Sequence, residues 1–206
     1  MAKMIENRFI GIIQFHQQGM LSSTEDLTNE QITQQPSPTA PPIGWHLFHI
    51  ARWADRLQAS FSIKSSELEQ PSHLPSEIWT VEGLAKQWGL NPERLGLLET
   101  GAGMAVDEVV IVASLGKSIL LEYARRTFSE VEQAVRELTV EQLEHPRQSI
   151  LPEIQVSSTG QPYFSGKRNV VILNDLIFHI SHTGRHLGMV EALRGAMFAI
   201  PGTASV

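Results

Sequence analysis

Four long segments with helical periodicity, separated by sequence rich in proline and glycine, decide what this chain can fold into. In each segment apolar residues recur at helical spacing, which is typical of a helix with one buried face. The third segment contains no proline and begins with Asp107 and Glu108, which favour a helix N-terminus. The four predicted helices cover about residues 4–21, 42–61, 106–138 and 169–197, the last with Asn169 as its N-cap.

The segments between these helices predict mostly irregular structure. Residues 64–103 contain several prolines and glycines, and we interpret them as a long crossover with one short helix at 81–87. Residues 149–167 are rich in turn-forming residues and predict a short β-hairpin at most. The sequence therefore predicts an all-α protein, a four-helix bundle with a long crossover between helices 2 and 3, in a single domain of residues 1–206.

Composition argues against several classes of function. The 206 residues carry a net charge of -6, which disfavours nucleic-acid binding because phosphate contacts need clustered Lys and Arg. The chain has no cysteine, so a metal site would have to use His, Asp or Glu. No signal-peptide pattern is present, and no segment approaches the roughly 20 apolar residues of a membrane span. We therefore expect a cytoplasmic protein without a nucleic-acid or membrane partner.

The fourth predicted helix carries three of the eight histidines, in the stretch FHISHTGRHLG. His179, His182 and His186 are three and four residues apart, so they lie on one stripe of the helix. His182 and His186 have the i, i+4 spacing with which two imidazoles can reach a single metal ion. The glutamate of the zinc-enzyme motif HExxH is absent, so hydrogen-bonded core histidines are an alternative interpretation.

The second predicted helix carries two more histidines, in the stretch IGWHLFHIARWAD. His46 and His49 are three residues apart among largely apolar neighbours, and a common ligand would explain all five histidines together. Three neutral imidazoles with open positions suit zinc, nickel, copper or iron(II). Charged residues also flank the histidines, either as supporting contacts or as helix-surface charges: Arg52, Asp55 and Arg185.

The two histidine motifs resemble those of the DinB family of small four-helix-bundle proteins, whose superfamily includes YfiT-like metal-dependent hydrolases and thiol-dependent S-transferases. The resemblance covers the whole helical order and implies a divalent transition metal, zinc or nickel with iron as a further option. It carries the ligand role onto His49, His182 and His186. The sequence departs from the family pattern at Met189, where a glutamine is frequent. His46 stays open as a substitute for His49 or as a supporting residue.

The resemblance implies a metal-dependent reaction on a small molecule. A hydrolase would use metal-bound water, and a transferase would join a low-molecular-weight thiol to an electrophile. The catalytic residues beyond the metal ligands are unknown from the sequence, with His46 and His179 as the candidates for acid or base assistance.

Two alternatives belong to other classes. One is a non-catalytic metal- or ligand-binding bundle that acts in a stress response or as a structural homodimer. The other is a di-iron site, which would need a Glu-x-x-His pair on each of two helices. The third predicted helix offers Glu122 and Glu132 but no histidine, which argues against the di-iron site.

Overall fold

The computed structural model describes residues 2–61, 74–148, 153–156, 162–165 and 169–202, and most of these residues are helical. The all-α prediction is confirmed. The long helices are α1 (Ala2–Glu25), α3 (Ile43–Ser60), α7 (Lys117–Glu137) and α9 (Ile172–Phe198). Short helices stand between them: α2 (Asn29–Thr33), α4 (Ile78–Val81), α5 (Leu84–Gln87), α6 (Val109–Ala113) and α8 (Val140–Leu143).

The four long helices pack in a ring, in which α1 and α3 each contact both α7 and α9. Apolar side chains such as Met20, Leu47, Leu120 and Val190 fill the space between them. Helix α3 is buried almost all round, because α2, α4 and α6 cover the sides that α7 and α9 leave open. Every polar side chain on α3 must therefore find its partners inside the protein.

The prediction of one continuous third helix is wrong. Helix α6 ends at Ala113, and α7 starts again at Lys117 after Gly116, whose φ of 88° lies outside the range of a right-handed helix. The Asn29 side chain accepts a hydrogen bond from the backbone N–H of Lys117 at 2.9 Å. A residue from the α1–α3 connection thus supplies the polar contact that the start of α7 needs.

Two further boundaries differ from the sequence prediction. The short helix expected at 81–87 is two single turns, because Gly83 between α4 and α5 has a left-handed φ of 61°. Asn169 does not cap the last helix: it lies in a strand, and α9 begins after Val171, whose N–H donates to the Asn174 side chain. Residues 169–171 pair with residues 146–148 as antiparallel strands, and this pairing outweighs the local capping preference of asparagine.

The described part of residues 149–167 contains one antiparallel strand pair, in agreement with the predicted short hairpin, and a second pair lies directly outside this segment. Strand β1 (Pro146–Gln148) pairs with β4 (Asn169–Val171), and β2 (Glu153–Val156) pairs with β3 (Pro162–Ser165). The connection between α7 and α9 is therefore a pair of short ladders. Among the described residues, no helix combines the length and the apolar character that crossing a bilayer requires.

Candidate metal centre

Five of the histidines lie on α3 and α9, which pack against each other. His46, His49, His179 and His186 are buried, and His182 is partly exposed. The packing brings the three residues His49, His182 and His186 into one group, in which one ring nitrogen of each lies within 4.8 Å of the others. These are the three residues onto which the sequence resemblance carried the ligand role.

The spacing within this group matches a shared metal ion. Nε2 of His182 lies 3.2 Å from Nε2 of His49 and 3.1 Å from Nε2 of His186. Metal–nitrogen bonds to zinc are about 2.0–2.1 Å long, so an ion between such a pair would have an N–metal–N angle of about 100°. That angle lies between the octahedral and tetrahedral values, so both pairs that include His182 already have a spacing that suits a shared ion.

Hydrogen bonding alone does not explain the group well. His49 Nδ1 lies 2.7 Å from the Thr100 carbonyl oxygen, which can only accept, so Nδ1 carries the hydrogen and neutral His49 has a lone pair on Nε2. His182 Nε2 faces both of the other rings, but one hydrogen on it can make only one well-aligned bond. The remaining contact is left without a hydrogen bond, whereas a cation would accept lone pairs from all three rings.

Burial keeps these imidazoles neutral, which metal binding requires. The pKa of His49 is lowered to about 3, first by burial and then by the nearby His182. Burial lowers the pKa of His182 to about 4, with Arg185 as a second cause. The pKa of His186 is also lowered, first by burial and then by His49. At neutral pH no proton competes with an ion for the three lone pairs.

His46 is not part of the three-nitrogen group formed by His49, His182 and His186, but it contacts the His186 ring on its Nδ1 side. Its Nδ1 lies 2.8 Å from Nδ1 of His186. Only one hydrogen fits between two nitrogens at this distance, and if His186 carries it, Nε2 of His186 keeps the lone pair that faces His182. His46 is then the acceptor and orients the His186 ring.

The sequence profile of the DinB superfamily matches residues 12–190, a range that includes both helices of this site. The chain belongs to the DinB superfamily. A crystal structure of a conserved protein from Enterococcus faecalis has a similar fold, with a TM-score of 0.66 and 14% sequence identity over 94% of this chain and 97% of that one. At this identity the likeness shows the fold alone. A comparison with curated proteins gave no match.

His179 and His16 stand apart from the three-nitrogen group of this DinB protein. Nε2 of His179 and Nδ1 of His16 are buried and have no hydrogen-bond partner among the described residues. Burial lowers the pKa of His179 to about 3, and His182 and His16 contribute. His179 is therefore neutral at pH 7, and its Nε2 is a hydrogen-bonding atom without a partner among the described residues.

Arg52 and Asp55 are buried on α3, so the interpretation of these two as helix-surface charges is wrong. Arg52 Nη1 donates to Asp55 at 3.2 Å, and Arg52 Nη2 donates to Glu77 at 2.9 Å. Asp55 also accepts hydrogen bonds from Tyr123 and from the first backbone N–H groups of α4. The network ties α3 to α7 and to the crossover. Arg185, by contrast, is exposed.

Of two further neighbours of His49, one is local in the sequence and one is not. The Trp45 ring stacks on the His49 ring at 4.7 Å with an angle of 11° between the planes, as their spacing of four residues on α3 allows. The Thr100 carbonyl reaches His49 from 51 residues further along the chain. A backbone carbonyl has no residue type by which to recognise it, so only the folded crossover reveals this contact.

Proposed function

We propose that this DinB protein binds one divalent transition-metal ion through Nε2 of His49, His182 and His186, and that it acts as a metal-dependent enzyme on a small molecule. Zinc or nickel fits three neutral imidazoles best, and iron(II) is a further option. The observation that carries the proposal is the position of His182 Nε2, 3.1–3.2 Å from the same atom of the other two rings.

Three ligands suit a reactive site better than a structural one. A structural zinc site is normally closed by four protein ligands, whereas a catalytic one keeps a position for water or substrate. The group found among the described residues has three members, and His46, the next imidazole, contacts the far side of the His186 ring. An ion held here would keep at least one position open to a small molecule.

The protein side chains supply orientation and exclude water. Thr100 and His46 fix the rings of His49 and His186, and Trp45 covers one face of the His49 ring. A bound divalent ion would supply a Lewis acid that lowers the pKa of a water molecule or a thiol in its open position. Hydrolysis and thiol transfer both start from such an activated nucleophile, so both belong to the proposal.

Neither candidate for acid or base assistance is a charged imidazolium at neutral pH. Burial lowers the pKa of His46 to about 4 and that of His179 to about 3. His46 Nδ1 is occupied by His186, whereas His179 Nε2 has no partner among the described residues. Of the two, His179 is therefore the better placed to accept a proton transiently from a bound substrate.

The direct test is the metal content of the untagged protein, measured by elemental mass spectrometry. We expect about one transition-metal ion per chain in the wild type and a loss of that ion in His49→Ala and His182→Ala. His46→Ala is the matched control, because it also removes a buried imidazole from α3 but none of the proposed ligands. A wild-type protein that cannot be loaded with zinc, nickel or iron(II) would refute the proposal.

Turnover is tested on the loaded protein. We would incubate it with ester and amide substrates, and separately with low-molecular-weight thiols and an electrophilic acceptor. Metal-dependent product formation that disappears in His182→Ala supports the enzyme. Stoichiometric metal without any turnover, together with a large rise in thermal stability, would instead support a non-catalytic metal-binding protein.

A further inference from the structure

Residues 97–102 form a tight loop, the 97–102 loop, that lies over His49. The Leu97 N–H donates to the Ala102 carbonyl at 2.7 Å, and the Thr100 hydroxyl donates to the Leu97 carbonyl at 2.7 Å. Leu98 and Glu99 both have a φ of 54°, a left-handed conformation that is uncommon for residues other than glycine. Two such residues in succession persist only where contacts from outside the loop hold them.

Arg52 supplies those contacts. Its Nε donates to the Glu99 carbonyl at 3.1 Å, and its Nη2 lies 3.4 Å from the Leu98 carbonyl. The guanidinium is fully buried, and its other bonds, to acidic and phenolic side chains, fix it in place. Burial lowers the pKa of Arg52, but Tyr123, Glu77 and Asp55 together raise it above its usual value, so the group stays charged and donates strongly.

The loop then places the next carbonyl against the proposed metal ligand. Thr100 directly follows the two residues that Arg52 holds, and its carbonyl accepts from His49 Nδ1 at 2.7 Å. Arg52 and His49 are three residues apart on α3, so one side of this helix contacts three consecutive carbonyls of the loop. The backbone of the loop thus connects the position of Arg52 to the ring nitrogen of His49 that carries the hydrogen.

The geometry points to Arg52 as a positioning residue: it holds the 97–102 loop so that the Thr100 carbonyl keeps the hydrogen on His49 Nδ1 and leaves Nε2 to the ion. This inference deepens the proposed function and rests on it for the role of the ion. The placement of the hydrogen itself does not depend on a metal. It is therefore open to measurement in the metal-free protein.

The first test uses Arg52→Lys, which keeps the charge but loses the forked set of donors. We expect zinc affinity, measured by competition with a chromogenic chelator, to fall about 10–100-fold, the usual effect of removing an outer contact of a metal ligand. We also expect the imidazole 15N chemical shifts of His49 in the metal-free protein to lose the pattern of a single Nδ1–H form. Tyr123→Phe is the control: it removes one hydrogen bond to Arg52 but leaves the guanidinium both of its carboxylate partners and both of its loop contacts.

A second pair of variants tests the loop without altering a buried charge. Gly101 has a φ of 84°, and a Cβ there would lie 2.8 Å from Trp45 Nε1 and 3.6 Å from His49 Nδ1. Gly103 has a φ of 75°, but a Cβ there meets nothing within 4 Å. Gly101→Ala should therefore reproduce the Arg52→Lys effects on zinc affinity and on the His49 shifts. Gly103→Ala carries a similar backbone strain and should leave both readouts near wild type.

The outcomes separate this inference from the proposed function. If the wild type binds zinc and both Arg52→Lys and Gly101→Ala bind it equally well, the positioning role is wrong and the metal site stands. If the wild type binds no metal, the proposed function fails, and the 15N shifts still decide whether Arg52 sets the His49 tautomer. If Tyr123→Phe lowers zinc affinity as much as Arg52→Lys, or Gly103→Ala as much as Gly101→Ala, general destabilisation explains the effect and the inference is overturned.

Discussion

Nδ1 of His46 lies 2.8 Å from Nδ1 of His186, so a single hydrogen between α3 and α9 determines which nitrogen of His186 is free. An ion on His186 Nε2 requires that hydrogen to reside on His186, with His46 as its acceptor. The two residues are 140 positions apart in the chain, and only the packing of α3 against α9 connects them. His46 would therefore affect an ion bound at the proposed site only through His186.

We expect His46→Ala to weaken zinc binding about 10-fold while leaving a binding stoichiometry of one, because the His186 ring loses its acceptor but not its lone pair. His46→Gln offers a side-chain oxygen as acceptor and should recover part of the lost affinity. Competition titrations with a chelator measure both. A complete loss of stoichiometric zinc in His46→Ala would make His46 a ligand and contradict its assignment as a supporting residue.

The metal-free protein should lose stability in mild acid. The folded-state pKa values of His46 and His182 are lowered to about 4 and those of His49 and His179 to about 3, in each case chiefly by burial. The unfolded chain has ordinary histidines with pKa near 6.5, so it binds more protons than the folded chain at any pH between these values. The stabilisation is complete above about pH 6.5 and is lost as the pH falls towards 4.

Urea unfolding of the chelator-treated protein at pH 7.5 and pH 5.0 measures this effect. Each buried histidine contributes up to about 1.4 kcal/mol per pH unit below 6.5, so a loss of several kcal/mol is expected between the two conditions. The variant His179→Phe removes one of the titrating groups and should show a smaller difference. Equal stability at both pH values would mean that the histidines are protonated in the folded protein.

The grouping of His182 with His186 could be predicted from the sequence because helical spacing is a local property, whereas the choice of His49 over His46 came from the resemblance to the DinB family. His182 and His186 share a stripe of α9, and the apolar neighbours of His49 indicated that it faces inward. Residues that act through tertiary contacts had no such signal. The Thr100 carbonyl reaches His49 only because two residues before it adopt left-handed conformations.

The errors in the fold have the same origin. Apolar periodicity continues from Val109 across the break into α7, so the sequence pattern indicates one helix. The positive φ of Gly116 and the contact from Asn29 to Lys117 depend on how α1 and α3 are connected. The burial of Arg52 and Asp55 could not be predicted from local sequence either, since it depends on the crossover covering α3.

Removing one acidic group from the buried network should be costly. Glu77 accepts from Arg52 at 2.9 Å and from Arg56 at 2.8 Å, and none of these charged groups reaches solvent appreciably. Glu77→Gln leaves the two guanidinium groups short of one negative charge, which we expect to cost about 3–5 kcal/mol of unfolding free energy. Glu25→Gln is the control, because the Arg125–Glu25 pair is about half exposed and should contribute less than about 1 kcal/mol. Urea titrations of the two variants should differ clearly in midpoint, and similar midpoints would show that the buried network adds little.

Two helical glycines should respond oppositely to alanine. A Cβ on Gly44 would lie 2.7 Å from Ile32 Cγ2 and 3.1 Å from the Ala113 backbone, so it would force α3 away from α2 and α6 at a cost of about 1–3 kcal/mol. A Cβ on Gly188 meets nothing within 4 Å, so Gly188→Ala gains helix propensity and should stabilise the protein by up to about 1 kcal/mol.

Gly188 lies two residues after His186, in the part of the motif shared with the DinB family, yet its open surroundings give it no contact with the proposed metal ligands. Thermal unfolding and zinc titration of both variants test this, with a higher melting temperature and unchanged zinc affinity expected for Gly188→Ala. A loss of zinc affinity in Gly188→Ala would instead show that the glycine serves the site, for example by leaving room for a substrate.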